Sequence, residues 1–141
     1  MNPVYLLDTN VISEFTKPKP NSGVMEKIRE LWENCVICSP VWQEAVYGLE
    51  LMPDGRKKEA INKTLQDVKR SFKILPYDSF TAQICGEIQA KCEKKGKPVP
   101  KNDSQIAATA ISNNMVLITH NVSDFESISE ISMLHVEDWW A

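Results

Sequence analysis

Apolar residues in this chain fall into two patterns, short unbroken runs and stretches spaced three and four apart, and their alternation predicts an α/β protein. Val4–Leu7 is a continuous apolar run, the pattern of a strand covered on both faces. Val36–Ser39, Phe72–Leu75 and Met115–Ile118 read as further strands, and Met133–Val136 as a fifth. Between them lie helical patterns. Val11–Phe15 is a short helix. Gly23–Glu33, capped by Asn21 or Ser22, places Val24, Ile28, Leu31 and Trp32 on one face. Pro40 opens a helix through Leu51 with Val41, Ala45, Gly48 and Leu49 as its inner stripe. Arg56–Ser71 is amphipathic, with Ala60, Ile61, Leu65 and Val68 on the buried side. Asp78 or Ser79 opens a helix to about Lys95, which Gly96 stops. Asn102 or Asp103 begins another, with Ile106, Ala107, Ala110 and Ile111 facing in. The paired prolines of Lys17–Asn21 and Lys97–Lys101 make those segments loops. The expectation is one domain over residues 1–141, in three α/β/α layers around a central parallel sheet of four to five strands with right-handed connections.

Acidic residues recur at the ends of these segments. Asp8 follows the first strand, Glu44 lies in the first turns of the helix after the second, Asp103 starts the helix before the fourth, and Asn121 and Asp124 follow the fourth. In a parallel sheet the carboxyl ends of strands and the amino ends of the following helices share one edge. Asp8, Glu44, Asn121 and Asp124 fall there by chain direction, and Asp103 needs its long preceding loop to reach it. Like charges gathered so closely repel, and a hard divalent cation relieves the repulsion through oxygen ligands. Thr9, Asn10 and Thr119 are placed to orient the carboxylates. Each acid also has a plainer reading, as a helix cap, a helix-dipole partner or a loop residue, but their common edge is the simpler account.

Composition narrows the class. The net charge of −3 hides an uneven spread: Gly55–Lys101 holds twelve Lys/Arg against five Asp/Glu, and the remainder holds four against fourteen. A basic middle suits a polyanion backbone while the acidic parts suit a metal, although lysines on amphipathic helices are commonly just solvated. No apolar stretch approaches the ~18 residues of a membrane span, and Met1-Asn2-Pro3 does not open a leader pattern, so the expected location is the cytoplasm. Cys35-Val36-Ile37-Cys38 has the spacing of half a zinc knuckle, but on a strand two residues three apart point to opposite faces. Buried free thiols are the expectation for Cys35, Cys38, Cys85 and Cys92.

Leu7-Asp8-Thr9-Asn10-Val11-Ile12-Ser13-Glu14, Pro100-Lys101-Asn102-Asp103-Ser104-Gln105-Ile106-Ala107-Ala108-Thr109-Ala110 and Thr119-His120-Asn121-Val122-Ser123-Asp124-Phe125 together resemble the PIN domain. More narrowly they are similar to VapC-type toxins of type II toxin–antitoxin systems, in the FitB-like branch. The resemblance spans nearly the whole chain, with the acids in the family's order. It implies a Mg²⁺-dependent endoribonuclease (Mn²⁺ substituting) that hydrolyses RNA phosphodiesters with metal-activated water. By position, Asp8 and Asp103 match the principal metal ligands and Glu44 the acid that ligates or takes a proton from the water. Asp124 joins the catalytic set, with Thr9, Asn10, Thr119 and Asn121 around it, and either Asp124 or Asn121 completes the site. Some relatives carry an aspartate where this chain has Asn121, and many carry arginine where it has His120. Lys97 and Lys101 are placed to hold flanking phosphates.

The resemblance further implies a homodimer and a DNA-binding antitoxin of the VapB or FitA kind, whose tail covers the acid site. Phe15, Trp32, Trp42 and Tyr47 are candidates to line that groove, and Trp139-Trp140 to pack on the sheet edge or join an interface. Two rivals remain. A haloacid-dehalogenase-type phosphatase also starts from a strand-end aspartate, but it needs a second aspartate where this chain has Asn10. A catalytically silent PIN module that binds RNA or a protein is the other.

Overall fold

Leu6, Leu7, Leu117 and Ile118 have no exposed surface, and the two strands that carry them lie side by side at the centre of the molecule. A computed structural model describes residues 4–141; Met1-Asn2-Pro3, read above for a leader pattern, lies outside the described residues. In chain order the elements are β1 (Tyr5–Leu7), α1 (Thr9–Phe15), α2 (Ser22–Leu31), a 3-10 turn (Trp32–Asn34), β2 (Cys35–Cys38), α3 (Ser39–Leu51), α4 (Arg56–Ser71) and β3 (Ile74–Leu75). They continue with α5 (Ser79–Lys94), α6 (Lys101–Ser112), β4 (Val116–Ile118), a second 3-10 turn (Val122–Phe125), α7 (Glu126–Ser129) and β5 (His135–Glu137).

The five strands form one parallel sheet in the order β3-β2-β1-β4-β5, with Leu7 opposite Ile118 at the central seam. The chain steps outward from β1 to β2 to β3, then crosses back to β4 and continues to β5. The direction of winding therefore reverses between β1 and β4, and at such a reversal a crevice opens beyond the strand carboxyl ends. Asp8 closes β1 and Thr119 closes β4, so both stand at the mouth of that crevice.

Local chemistry explains most boundaries. Asp8 caps α1 by accepting from the Thr9 N–H, Asn21 caps α2 and Asp78 caps α5. α5 ends in a Schellman turn: Gly96, at φ +74°, donates to the Glu93 carbonyl, and Lys97 donates to Cys92. Gly23 meets a different demand. A Cβ there would stand 2.7 Å from the Trp139 carbonyl oxygen, because the end of the chain packs directly on α2.

Several sequence expectations shift. α2 stops at Leu31, so Trp32 enters the 3-10 turn, is 44% exposed and leaves the buried face. The stripe of α3 narrows to Val41 and Leu49 with Ala45 half-buried, and Gly48 is exposed; on α4, Ala60 lies outside the Ile61, Leu65, Val68 spacing and is also exposed. Phe72 ends α4 by donating to the Val68 carbonyl, which shortens β3 to Ile74–Leu75. The last strand is His135–Glu137, and Met133 is 92% exposed ahead of it. Helix α6 starts at Lys101, which puts Asp103 inside its first turn rather than at the cap.

Candidate active site

Asp8 is held by three donors although only 7% of it is exposed. The Thr9 N–H reaches its Oδ1 at 2.7 Å, and the Thr119 hydroxyl and Asn10 Nδ2 reach its Oδ2 at 2.8 and 3.2 Å. Donors of this kind favour the charged form, yet the Asp8 carboxyl is raised above its ordinary value. Burial is the main cause, and the charges of Glu44 and Asp124 add to it. Asp103 is half-buried in the first turn of α6 and is pushed up to about 6, again by burial first, then by Asp8, Asp124 and Glu44. The long loop after α5 thus brings Asp103 into the field of the other three acids, as chain direction alone suggested.

Glu44 projects from the second turn of α3 and is exposed, but it is not loose. Thr9 Oγ1 and Asn102 Nδ2 both donate to its Oε2, at 2.6 and 2.5 Å, which leaves Oε1 free of either donor. Nothing in the sequence singles out Asn102 for this role. Its only signal there is its place beside Asp103 at a helix start. Asp124 sits exposed on the 3-10 turn after β4 and lines, with Asp103, a cleft of about 440 Å³ that also includes Lys97, Pro100, Ser123 and Glu130. Asn121 contributes its backbone, donating to Thr119 Oγ1 at 3.1 Å, while Asn10 Nδ2 donates to the same hydroxyl at 3.0 Å.

Among the described residues none of Asp8, Glu44, Asp103 and Asp124 forms an ion pair with a basic side chain, and no three acidic, histidine or cysteine groups are arranged to hold a metal ion as they stand. The four carboxylates are convergent but open. Oxygen donors that raise one another's protonation are the set a hard divalent cation suits, so the residues fit one. The thiols do not compete: all four cysteines are buried and free, and burial pushes Cys35 and Cys38 to about 12.

The His120 ring lies against Asp138 and Trp140. Its Nδ1 lies 3.1 and 3.3 Å from the two Asp138 oxygens, and its ring stacks on Trp140. Trp139 is buried edge-on against Tyr5, which places the end of the chain on the sheet. Lys97 reaches Glu130 at 3.5 Å, whereas Lys101 is exposed and makes no ion pair among the described residues.

With that geometry in view, the relatives give its class. Residues 5–131 match the PIN domain, and the chain belongs to the PIN-domain family. It is 33% identical over 129 residues to the toxin FitB of Neisseria gonorrhoeae, covering 85% of this chain and 89% of that protein. It is 30% identical to the tRNA(fMet)-specific endonuclease VapC of Shigella flexneri, covering 96% and 97%. Among solved structures, the FitAB complex bound to a DNA fragment superposes with a TM-score of 0.86 at 30% identity, over 98% of this chain and 96% of that one. The DNA-bound VapBC of Salmonella typhimurium gives 0.85 at 29% identity, over 98% and 99%.

Proposed function

We propose that residues 1–141 form a single PIN domain that acts as a divalent-metal-dependent endoribonuclease and as the toxin of a type II toxin–antitoxin pair. The observation that carries this reading is the gathering of Asp8, Glu44, Asp103 and Asp124 at the strand ends without a basic partner, in a chain whose full-length relatives include named ribonucleases.

Asp8 and Asp103 would hold the cation, with Glu44 as third ligand or proton acceptor. A bound Mg²⁺, or Mn²⁺ in its place, supplies positive charge for a phosphate oxygen and acidifies water. The protein's own part is positional. Thr119, Asn10 and the Thr9 N–H fix Asp8. Thr9 and Asn102 fix one oxygen of Glu44, leaving Oε1 to take a proton from the attacking water. Asp124 tunes the charge of the set from the cleft wall, and Lys101 offers its ammonium to a flanking phosphate.

An antitoxin suits the apolar groove of about 260 Å³ where α1, α2 and α4 meet, lined by Phe15, Met25, Ile28, Trp32, Val68 and Phe72. Phe15 and Trp32 both pack on Phe72 there, with ring centroids 6.0 and 4.7 Å away. Tyr47 and Leu51, one turn apart on α3 and both largely exposed, offer an apolar surface for a homodimer. No helix of the described residues is long and apolar enough to cross a membrane, and a ribonuclease toxin would meet its RNA in the cytoplasm.

The test is cleavage of total bacterial RNA with Mg²⁺, with EDTA and with Asp8→Asn. Mg²⁺-dependent fragments that vanish in the other two arms support the reading; equal cleavage by Asp8→Asn removes it. The open spacing of the carboxylates favours a second reading, a silent module that binds RNA or a protein. Growth arrest on expression, relieved by Asp8→Asn, separates the nuclease from the binder.

A further inference from the structure

We propose that His120 and Trp140 form a stacking platform for an unpaired nucleobase next to the phosphodiester being cut, an inference that rests on the ribonuclease reading above. His120 is held at three points, two of them on its ring. Its backbone N–H donates to Asn10 Oδ1 at 3.3 Å, its Nδ1 lies 3.1 Å from Asp138 Oδ2, and one face lies on Trp140 with centroids 4.6 Å apart and planes 20° from parallel. Asp138 holds both partners, because its Oδ1 also accepts from the Trp140 N–H at 2.9 Å. The imidazole side chain is nevertheless 53% exposed. With Trp140 on one face, that exposure belongs to the opposite face and the ring edge.

A surface imidazole ordinarily samples several rotamers, and ordering it on binding costs entropy. Here the ring is ordered by Asp138 and Trp140 before any ligand arrives, which is how a binding surface gains affinity without new contacts. The position is as telling as the rigidity. His120 follows Thr119, which donates to Asp8, and its backbone N–H rests on Asn10, whose amide also donates to Asp8, so the residue is anchored at the rim of the acid crevice, two positions past the end of β4. A flat aromatic surface next to a phosphate-cutting site suits a base splayed from a single strand, since every base has a π-face. The neighbouring Trp139 is occupied elsewhere. It is buried, its Nε1 donates to Glu137, and it braces Tyr5.

The test uses a single-stranded hexanucleotide RNA carrying one 2-aminopurine, with Ca²⁺ replacing Mg²⁺ so that binding is read without cleavage. Wild type and His120→Phe are expected to quench the fluorophore and bind alike. His120→Ala and Trp140→Ala should lose the quench and bind about tenfold more weakly. In cleavage of total RNA with Mg²⁺, the two alanine variants should raise KM by a similar factor with little change in kcat. His120→Phe separates stacking from architecture, because it keeps a ring and loses the Asp138 contact. If it fails as His120→Ala does, or if His120→Ala matches wild type in quench and KM, the platform is overturned. Mg²⁺-dependent cleavage without any of these differences sinks the platform alone; no cleavage by wild type sinks the ribonuclease reading and the platform with it.

Discussion

Thr119 spans the central seam of the sheet: its hydroxyl donates to Asp8 Oδ2 at 2.8 Å and accepts from Asn10 Nδ2 and from the Asn121 N–H. One donor and two acceptors exhaust what a hydroxyl offers. It is fully buried, so no water replaces it. Thr119→Val keeps the shape, removes one of the three donors to Asp8 and one of the two acceptors of Asn10 Nδ2, and leaves the Asn121 N–H without its acceptor. It should cost about 2 kcal/mol in a denaturant titration and reduce cleavage at least tenfold, while Thr119→Ser restores most of both. A Val variant with wild-type activity would show that Asp8 needs no such support.

The pH dependence of stability follows from Asp103. Its carboxyl titrates at about 6 in the fold against an ordinary 3.8, so between those values the folded state binds more protons than the unfolded one. Stability from this group is therefore full below 3.8 and lost as pH rises through about 6. Asp8 acts in the same direction. The melting temperature of metal-free protein should rise as pH falls from 7 to 5, and Asp103→Asn should flatten that rise. Mg²⁺ should stabilise at pH 7 and much less at pH 5. A melting temperature that climbs with pH in this window contradicts the shift.

Glu44 depends on Asn102 across 58 positions of sequence. Asn102→Ala should lower kcat about tenfold with little loss of stability, since Glu44 is exposed and suffers no burial penalty on release. Added to Glu44→Gln, the same change should cost almost nothing more, because both remove one arrangement. Additive losses in that cycle would separate the two residues.

Gly23 has no room for a side chain beside Trp139 and Ala141. Gly23→Ala should destabilise the fold by about 1–3 kcal/mol and change tryptophan fluorescence as the chain end lifts. Asn21 holds the same segment, donating to the Ala141 carbonyl and accepting from its N–H, both at 3.1 Å. Unchanged stability and fluorescence in Gly23→Ala would mean the segment is not anchored there.

The proposed antitoxin groove is tested by Trp32→Glu, which should abolish co-purification with the cognate antitoxin while leaving RNA cleavage by the isolated protein intact. Retained co-purification would place the antitoxin elsewhere.

Periodicity revealed the sheet well: β1 and β4 are unbroken apolar runs because helices cover them on both sides, and Asp8 at a strand end follows from that. α4 was legible to both ends, with Gly55 before Arg56 and Phe72 after Ser71. Trp32 was not, because the end of α2 is decided by where the chain must turn into β2, not by the helix's own spacing. Asn102 and Asp138 escaped because their partners lie far away in sequence, and pairings between distant elements leave no local pattern. The sidedness of His120 was hidden for the same reason; only the path of the last residues reveals Trp140 against it.

The seam between β1 and β4 also sets a timetable. β1 is synthesised first and waits in the middle of the sheet for a neighbour that appears only after residue 116. Until then Asp8 lacks its Thr119 clamp and Asp103 has no finished wall to face. A nascent chain therefore cannot complete the carboxylate cluster until its final strands have emerged.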